Sequence, residues 1–167
     1  MRLVHYSNQP LGKLRRYSRP TGIEKLGDWW LKPRGLWVSD DDQELNWRTW
    51  CLEEDFHTEN LSHPHDIELR PDANVLILRT VDEVMAFHEK WGRSSKDLDH
   101  LAPTFFLSRL LLPWPAITAE YDGLIITPYQ WKLRLDLGWY YGWDVAGGCI
   151  WHPKAIASIT LREASHG

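Results

Sequence analysis

The order of short apolar runs along the chain is the feature that most constrains its fold. Each run has the length and composition of a single strand and is bounded by turn-forming residues. We expect strands at 2–7, 35–39, 73–79, 123–127, 149–152 and 155–161. Because these strands do not alternate regularly with helices, the pattern favours an α+β fold over a doubly wound parallel sheet.

Two stretches carry the signature of a helix. Thr80 and Glu83 form a capping box ahead of a stripe of apolar residues, and Gly92 follows the last of them. A second helix is expected from Gln43 onward, with Asp41 as its cap.

Length and composition indicate one globular domain spanning residues 1–167. Hydrophobic residues make up 43% of the chain and charged residues 25%, which argues against disorder. The net charge of -4 excludes the strongly basic composition of a dedicated nucleic-acid binder. A local basic cluster, Lys13–Arg19, is either a solvated loop or a contact surface.

Other features predict a cytoplasmic protein with no membrane partner. No run of about 18 apolar residues is present, and polar or charged residues from Arg2 onward interrupt any signal peptide. Cys51 and Cys149 are too few and too far apart for a disulfide framework.

The chain contains eleven tryptophans. Most are expected in the core, because an indole buries a large area and needs only one partner for its N–H group. The remainder could line a site that stacks on a flat ring.

A histidine-rich segment, 56–72, is expected to be a loop. His57, His63 and His65 lie close together downstream of Cys51, but their spacing matches no standard zinc site, so we predict no metal.

Two further kinds of chemistry are not supported. Cys149 and His152 would point to opposite faces of one strand, so an inert buried thiol is favoured over a nucleophile and its base. The glycine patterns of P-loops and dinucleotide-binding folds are absent from the sequence.

The first two predicted strands could form a slot for a flat, amide-bearing ring. His5 lies in the first strand, where it is either a satisfied core histidine or a donor to a ligand. The second strand begins at Gly35 and carries Trp37 and Ser39, and Trp47 follows on the next helix. Together these residues would supply ring walls, a hydroxyl group and an imidazole.

These segments resemble motifs of the ADP-ribosyltransferases of the poly(ADP-ribose) polymerase-like and diphtheria-toxin-like groups. Residues 3–7 are similar to that family's histidine strand. Residues 35–39, followed by 43–47, are similar to its second motif, a strand leading into a helix with a ring-stacking residue. Residues 149–156 are similar to its penultimate strand and the following turn. The resemblance implies an ADP-ribosyltransferase-like split antiparallel sheet with a few helices.

The resemblance also implies that NAD is the substrate. His5 would hydrogen-bond the adenosine-side ribose, neighbouring backbone groups would hold the nicotinamide amide, and Trp37 or Trp47 would stack on its ring. Ser39 would lie near the nicotinamide or its ribose. The implied NAD-binding residues are His5, Tyr6, Ser7, Gly35, Trp37, Ser39 and Trp47.

Two departures from the family pattern concern chemistry. Tyr6 stands where the family has glycine, and Gly147 and Gly148 stand where a catalytic glutamate should precede the strand. The candidate acids are therefore Asp144 and Glu120. Such a carboxylate would stabilise the oxocarbenium-like state formed when the nicotinamide bond breaks.

The sequence thus predicts an NAD-dependent ADP-ribosyltransferase or NAD glycohydrolase. Its acceptor, a protein, a nucleic acid or a small molecule, is unknown, and Lys13–Arg19 could contact it. The alternative is a non-catalytic nucleotide-binding or protein-interaction module with a tryptophan-lined pocket.

Overall fold

A seven-stranded mixed sheet organises the chain, in a computed structural model that describes residues 1–14, 32–92 and 112–162. The strands are β1 Leu3–Ser7, β2 Leu36–Asp40, β3 His63–Leu69, β4 Val75–Leu78, β5 Gly123–Ile126, β6 Gly147–Ile150 and β7 Ile156–Leu161. The described helices are α1 Trp47–Glu53, α2 Val81–Gly92 and α3 Trp114–Glu120. The α+β class is therefore confirmed.

The strand order in the sheet is β4-β5-β6-β2-β1-β3-β7. The pair β4 and β5 is parallel, and every other neighbouring pair is antiparallel. The sheet thus departs from a purely antiparallel arrangement at one edge. Strands β6, β2 and β1, which come from three distant parts of the chain, lie side by side.

Apolar side chains cover both faces of this sheet. On β5, Leu124 and Ile126 belong to the larger cluster, whereas Ile125 between them belongs to the smaller one, as strand alternation requires. The largest fully buried residues of the larger cluster include Trp114, Trp139, Trp143 and Tyr140. Most of the described tryptophans are thus core residues, as expected.

The predicted helix after residue 80 is confirmed with its cap. Thr80 Oγ1 accepts from the backbone N–H of Glu83 at 3.2 Å, and the Glu83 carboxylate accepts from the N–H of Thr80 at 3.0 Å. This reciprocal pair satisfies donors that the first helical turn leaves free.

The prediction of a helix from Gln43 capped by Asp41 is wrong. Helix α1 begins at Trp47, and Asn46 caps it by accepting from the N–H of Thr49 at 2.9 Å. Asp41 instead accepts a hydrogen bond from the hydroxyl of Tyr6 at 2.6 Å through its Oδ2 atom.

The prediction of a loop over 56–72 is also wrong, because strand β3 occupies 63–69. Pro64 suggested a loop, since it cannot donate to a sheet ladder. Only its carbonyl is used here, as an acceptor from the backbone N–H of Arg162 at 2.9 Å. The inward residues His65 and Ile67 are buried.

Helix α3 was not predicted from the sequence. It begins beside Pro113 and contains Pro115, and proline is tolerated in a first helical turn. Most of the basic segment Lys13–Arg19 lies outside the described residues. Among the helices that are described, none is both long and apolar enough to cross a bilayer.

Candidate functional site

A cavity opens where strands β1 and β2 separate. Their ladder consists of Leu3 opposite Asp40 and Val4 opposite Ser39. Beyond that point the His5 side chain spans the gap, and its Nδ1 atom lies 2.7 Å from the carbonyl oxygen of Trp37. The cavity has a volume of about 280 Å³. Its lining is Val4, His5, Tyr6, Lys32, Trp37, Val38, Ser39, Trp47, Asn60, Gly142, Trp143, Asp144, Val145, Gly147 and Gly148.

The hydrogen bond to Trp37 fixes the tautomer of His5. A carbonyl oxygen only accepts, so Nδ1 carries the proton and the neutral ring presents Nε2 as an acceptor. Burial lowers the pKa of His5 and favours this neutral form. The described residues provide no hydrogen-bond partner for Nε2, which leaves it available to a ligand hydroxyl.

The second histidine beside His5 has a structural role. His65 is opposite His5 on β3, is 2% exposed, and its Nε2 accepts from the backbone N–H of Leu11 at 3.1 Å. It does not line the cavity. Its Nδ1 atom is buried and has no hydrogen-bond partner among the described residues, so His65 is a core histidine that is satisfied at one ring nitrogen only.

Two indoles wall the cavity from different elements. Trp37 packs edge-on against Trp143, with ring centroids 4.8 Å apart, and Trp47 stacks on Trp50 at 5.1 Å. Ser39 fixes the start of the helix that carries Trp47, because its Oγ accepts from the Trp47 backbone N–H at 2.9 Å. The hydroxyl proton of Ser39 remains available as a donor.

Among the described residues that line this cavity, Asp144 is the only acid. Burial raises the pKa of its carboxyl group, and the positive charges of Lys32 and Arg134 oppose that shift. The nearest described cation is Arg134, whose Nη2 lies 3.8 Å from Asp144 Oδ1. A half-buried carboxylate held between two cations can stabilise positive charge on a bound sugar only if it is ionised.

Glu120, the other candidate acid, lies elsewhere. It is the last residue of α3, does not line the cavity, and pairs with Lys90 on the surface. Its side chain is 43% exposed. The structure brings Asp144 together with His5, and it does not bring Glu120 there.

Strand β6 contributes backbone to the cavity and no side chain at its first two positions. A Cβ on Gly147 would lie 2.2 Å from the carbonyl oxygen of Val38, and one on Gly148 would lie 1.9 Å from that of Leu124. The φ of Gly147 is 153°. The strands approach too closely for any larger residue, so this segment cannot supply an acid.

Three further predicted residues lie at the margins of the site. Tyr6 lines the cavity while its hydroxyl is engaged by Asp41. Ser7 and Gly35 do not line it: the Ser7 hydroxyl donates to the Gln9 carbonyl at 2.7 Å, and Gly35 abuts the backbone of β6.

Metal and thiol chemistry find no support in the described part of the chain. No cluster of His, Cys, Asp and Glu side chains there could hold a metal ion, and His57 bonds Glu59 at 2.9 Å. Both cysteines are buried and free, and burial raises the pKa of Cys149 well above its ordinary value.

Sequence reasoning missed Lys32 and Asn60 as lining residues. The ammonium group of Lys32 lies 5.3 Å from the centre of the Trp37 ring, and its stem passes over Gly142. Both residues lie outside the strands that carry the motifs, and no local pattern marks either of them. Comparisons with protein-family models, curated proteins and solved structures found no match to this chain.

Proposed function

We propose that the chain is an NAD-dependent ADP-ribosyltransferase or NAD glycohydrolase. The observation that carries this proposal is that four residues from four different segments of the chain line one cavity. His5, Trp37, Trp47 and Asp144 come from β1, β2, α1 and the segment before β6. Each has the chemical character that the proposed reaction needs at that cavity.

The nicotinamide end of NAD would occupy the cavity. A volume of about 280 Å³ is just below the roughly 300–1,000 Å³ typical of sites for drug-sized ligands. It therefore suits a nicotinamide ring with its ribose, with the rest of the dinucleotide lying outside. The indoles of Trp37 and Trp47 would flank the ring, and Nε2 of His5 would accept a hydrogen bond from a ribose hydroxyl.

The sheet supports the proposal through the separation of β1 from β2. Two residue pairs join these strands, and beyond them the His5 side chain spans the gap, so β1 and β2 diverge within one continuous sheet. Such a divergence is what a split-sheet fold would require at its binding site. The three segments with family-like motifs form the adjacent strands β1, β2 and β6. An ADP-ribosyltransferase-like fold accounts for this arrangement.

In the proposed reaction the bond between nicotinamide nitrogen and ribose C1 breaks, and its electron pair leaves with nicotinamide. C1 then carries oxocarbenium-like positive charge, which the Asp144 carboxylate would stabilise. A hydroxyl or amine of the acceptor, or water, forms the new bond to C1 and loses a proton. Lys32 would attract the phosphates of the substrate.

One observation favours the alternative of a binding-only module. The strand that would bear the acid begins with Gly147 and Gly148, where no side chain fits. The remaining acid, Asp144, already has Arg134 as an ionic partner. A nucleotide would still bind between the indoles without turnover.

The deciding experiment compares Asp144→Asn with Glu120→Gln. NAD binding is measured by calorimetry and nicotinamide release by chromatography. We expect wild type and Glu120→Gln to release nicotinamide, and Asp144→Asn to bind NAD with release reduced by about a hundredfold or more. Binding without release in all three proteins would favour the module. If none binds NAD, the proposal fails.

A further inference from the structure

A second surface lies beside the cavity, between residues 131 and 141. Trp131, Leu135 and Tyr141 are 60%, 84% and 55% exposed, and they are among the few large apolar side chains so exposed in the described residues. We call Trp131, Arg134 and Tyr141, with the flanking Lys132 and Leu135, the aromatic platform. Exposure of several large apolar groups in one place commonly marks a binding surface.

Buried neighbours hold the aromatic platform in position. Leu133 and Leu137 are 5% and 4% exposed, and Trp139 and Tyr140 are fully buried. Tyr129 packs edge-on against Trp131, with ring centroids 5.0 Å apart. The exposed rings thus alternate with core residues, so the platform is preorganised for a partner and loses little freedom on binding.

A guanidinium group lies between the two exposed rings. The Arg134 Cζ atom is 5.7 Å from the centre of the Trp131 ring and 5.5 Å from that of Tyr141. Such distances are typical of cation–π contacts. Two aromatic faces and a cation therefore form one continuous surface.

The aromatic platform is continuous with the cavity. Arg134 also approaches Asp144, a cavity residue, at 3.8 Å, and Tyr141 is followed in the chain by Gly142, which lines the cavity. A partner bound to the rings would therefore lie next to the carboxylate. An acceptor must reach this position if the proposed transfer occurs.

We infer that the aromatic platform binds single-stranded nucleic acid. Its role as the acceptor rests on the proposed function. Exposed Trp131 and Tyr141 offer π faces to unpaired bases, and stacking of this kind tolerates any base. Arg134 and Lys132 offer charge to the phosphates, against one exposed acid in the segment, Asp136. Arg134 is shared with Asp144 at 3.8 Å, but the stem of Lys32 meets Gly142 beside Tyr141, so three cations face Asp136 and Asp144 here. In a chain whose net charge is -4, this surface favours a polyanion.

The test measures oligonucleotide binding without NAD. Fluorescein-labelled dodecamers of thymidine and of uridine are titrated with the full chain, and fluorescence polarisation is followed. Trp131→Ala and Tyr141→Ala should each weaken binding by about fivefold or more. Leu161→Ala removes a side chain that is 44% exposed on the far edge strand and should bind like wild type.

Salt provides a second readout. Because Arg134 and Lys132 are the cations in question, Lys132→Gln should reduce the dependence of binding on salt concentration by about one phosphate contact. Circular dichroism of each variant establishes that it is folded. Failure of wild type to bind either dodecamer would overturn the inference, as would equal binding by wild type and both aromatic variants.

The result is separable from the NAD proposal, because the titration contains no NAD and nicotinamide release is measured both with and without the oligonucleotide. Platform-dependent binding with no nicotinamide release in either condition would support the nucleic-acid site and reject the transferase. If wild type is instead a dimer that Trp131→Ala converts to monomers, and no oligonucleotide binds, the platform contacts a second copy of the chain and the inference is wrong.

Discussion

The Nδ1 atom of His5 donates to the carbonyl oxygen of Trp37 across the point where β1 leaves β2, at 2.7 Å. This side-chain bond takes the place that a ladder bond would occupy if the strands stayed paired. It holds the strand edges apart on one side and directs the second ring nitrogen away from the backbone. The opening of the cavity and the orientation of its imidazole therefore have the same cause.

Removing this imidazole should weaken NAD binding. His5→Ala deletes the acceptor that we assign to a ribose hydroxyl, and one hydrogen bond corresponds to an affinity loss of up to about tenfold. Calorimetric titration with NAD measures the dissociation constant. His57→Ala, which removes an exposed histidine outside the cavity, is the control. Equal dissociation constants for the two variants would contradict the role of His5.

His5 should also make stability depend on pH. Its pKa in the folded chain is lowered by burial from the ordinary value of 6.5, so just below that pH the unfolded chain binds more protons. The free energy of unfolding is therefore at its full value above about pH 6.5. It decreases as the pH falls below that value, because protonation of His5 favours the unfolded chain. His88, whose pKa burial also lowers, contributes in the same direction.

Urea unfolding of wild type and His5→Gln at a series of pH values measures this effect. The His5→Gln protein should lose less stability below about pH 6.5 than wild type does, because one of the two histidines whose pKa is lowered by burial is gone. A wild-type curve that is flat through this range would show that His5 titrates alike in the folded and unfolded chains.

Substitution of Ser39 should affect both the free energy of unfolding and the binding of NAD. Its Oγ accepts from the backbone N–H of Trp47, and Ser39 itself is 3% exposed. Ser39→Ala should lower the free energy of unfolding by about 1 kcal/mol. It should also weaken NAD binding, because Trp47 loses its anchor. Ser158→Ala, which removes an exposed hydroxyl on β7, serves as the control in urea unfolding and NAD titration.

Much of the strand and helix content could be predicted from the sequence because it depends on local pattern. The runs that become β1, β2, β4 and β5 are apolar and bounded by turns, and the capping box at Thr80 determines where α2 begins. Strand β3 could not be predicted, because its proline and histidines resemble a loop until β1 and β7 pair with it.

The candidate site was predictable in part for the same reason. His5, Trp37 and Trp47 lie on elements with a local signature. Lys32 reaches the cavity from a loop, and Arg134 reaches Asp144 from a turn ten residues earlier in the chain. Contacts of this kind depend on tertiary packing, for which a single sequence has no local signal.

The close approach of β6 to β2 leads to a final prediction. Gly147→Ala would place a methyl group 2.2 Å from the carbonyl oxygen of Val38, on a residue whose φ of 153° disfavours any side chain. The two effects together should lower the free energy of unfolding by about 3 kcal/mol or more. Gly12→Ala is the control, since its new Cβ would have no neighbour within 4 Å. Its stability should stay within about 0.5 kcal/mol of wild type.

Urea unfolding of both variants measures the difference. If Gly147→Ala is as stable as Gly12→Ala, the strands are farther apart than described, and an acid at position 147 becomes sterically possible. If it is destabilised as expected, Gly147→Glu should fail to fold, and no substitution there can introduce the family's glutamate. Of the described residues that line the cavity, Asp144 would then be the one left to provide a carboxylate.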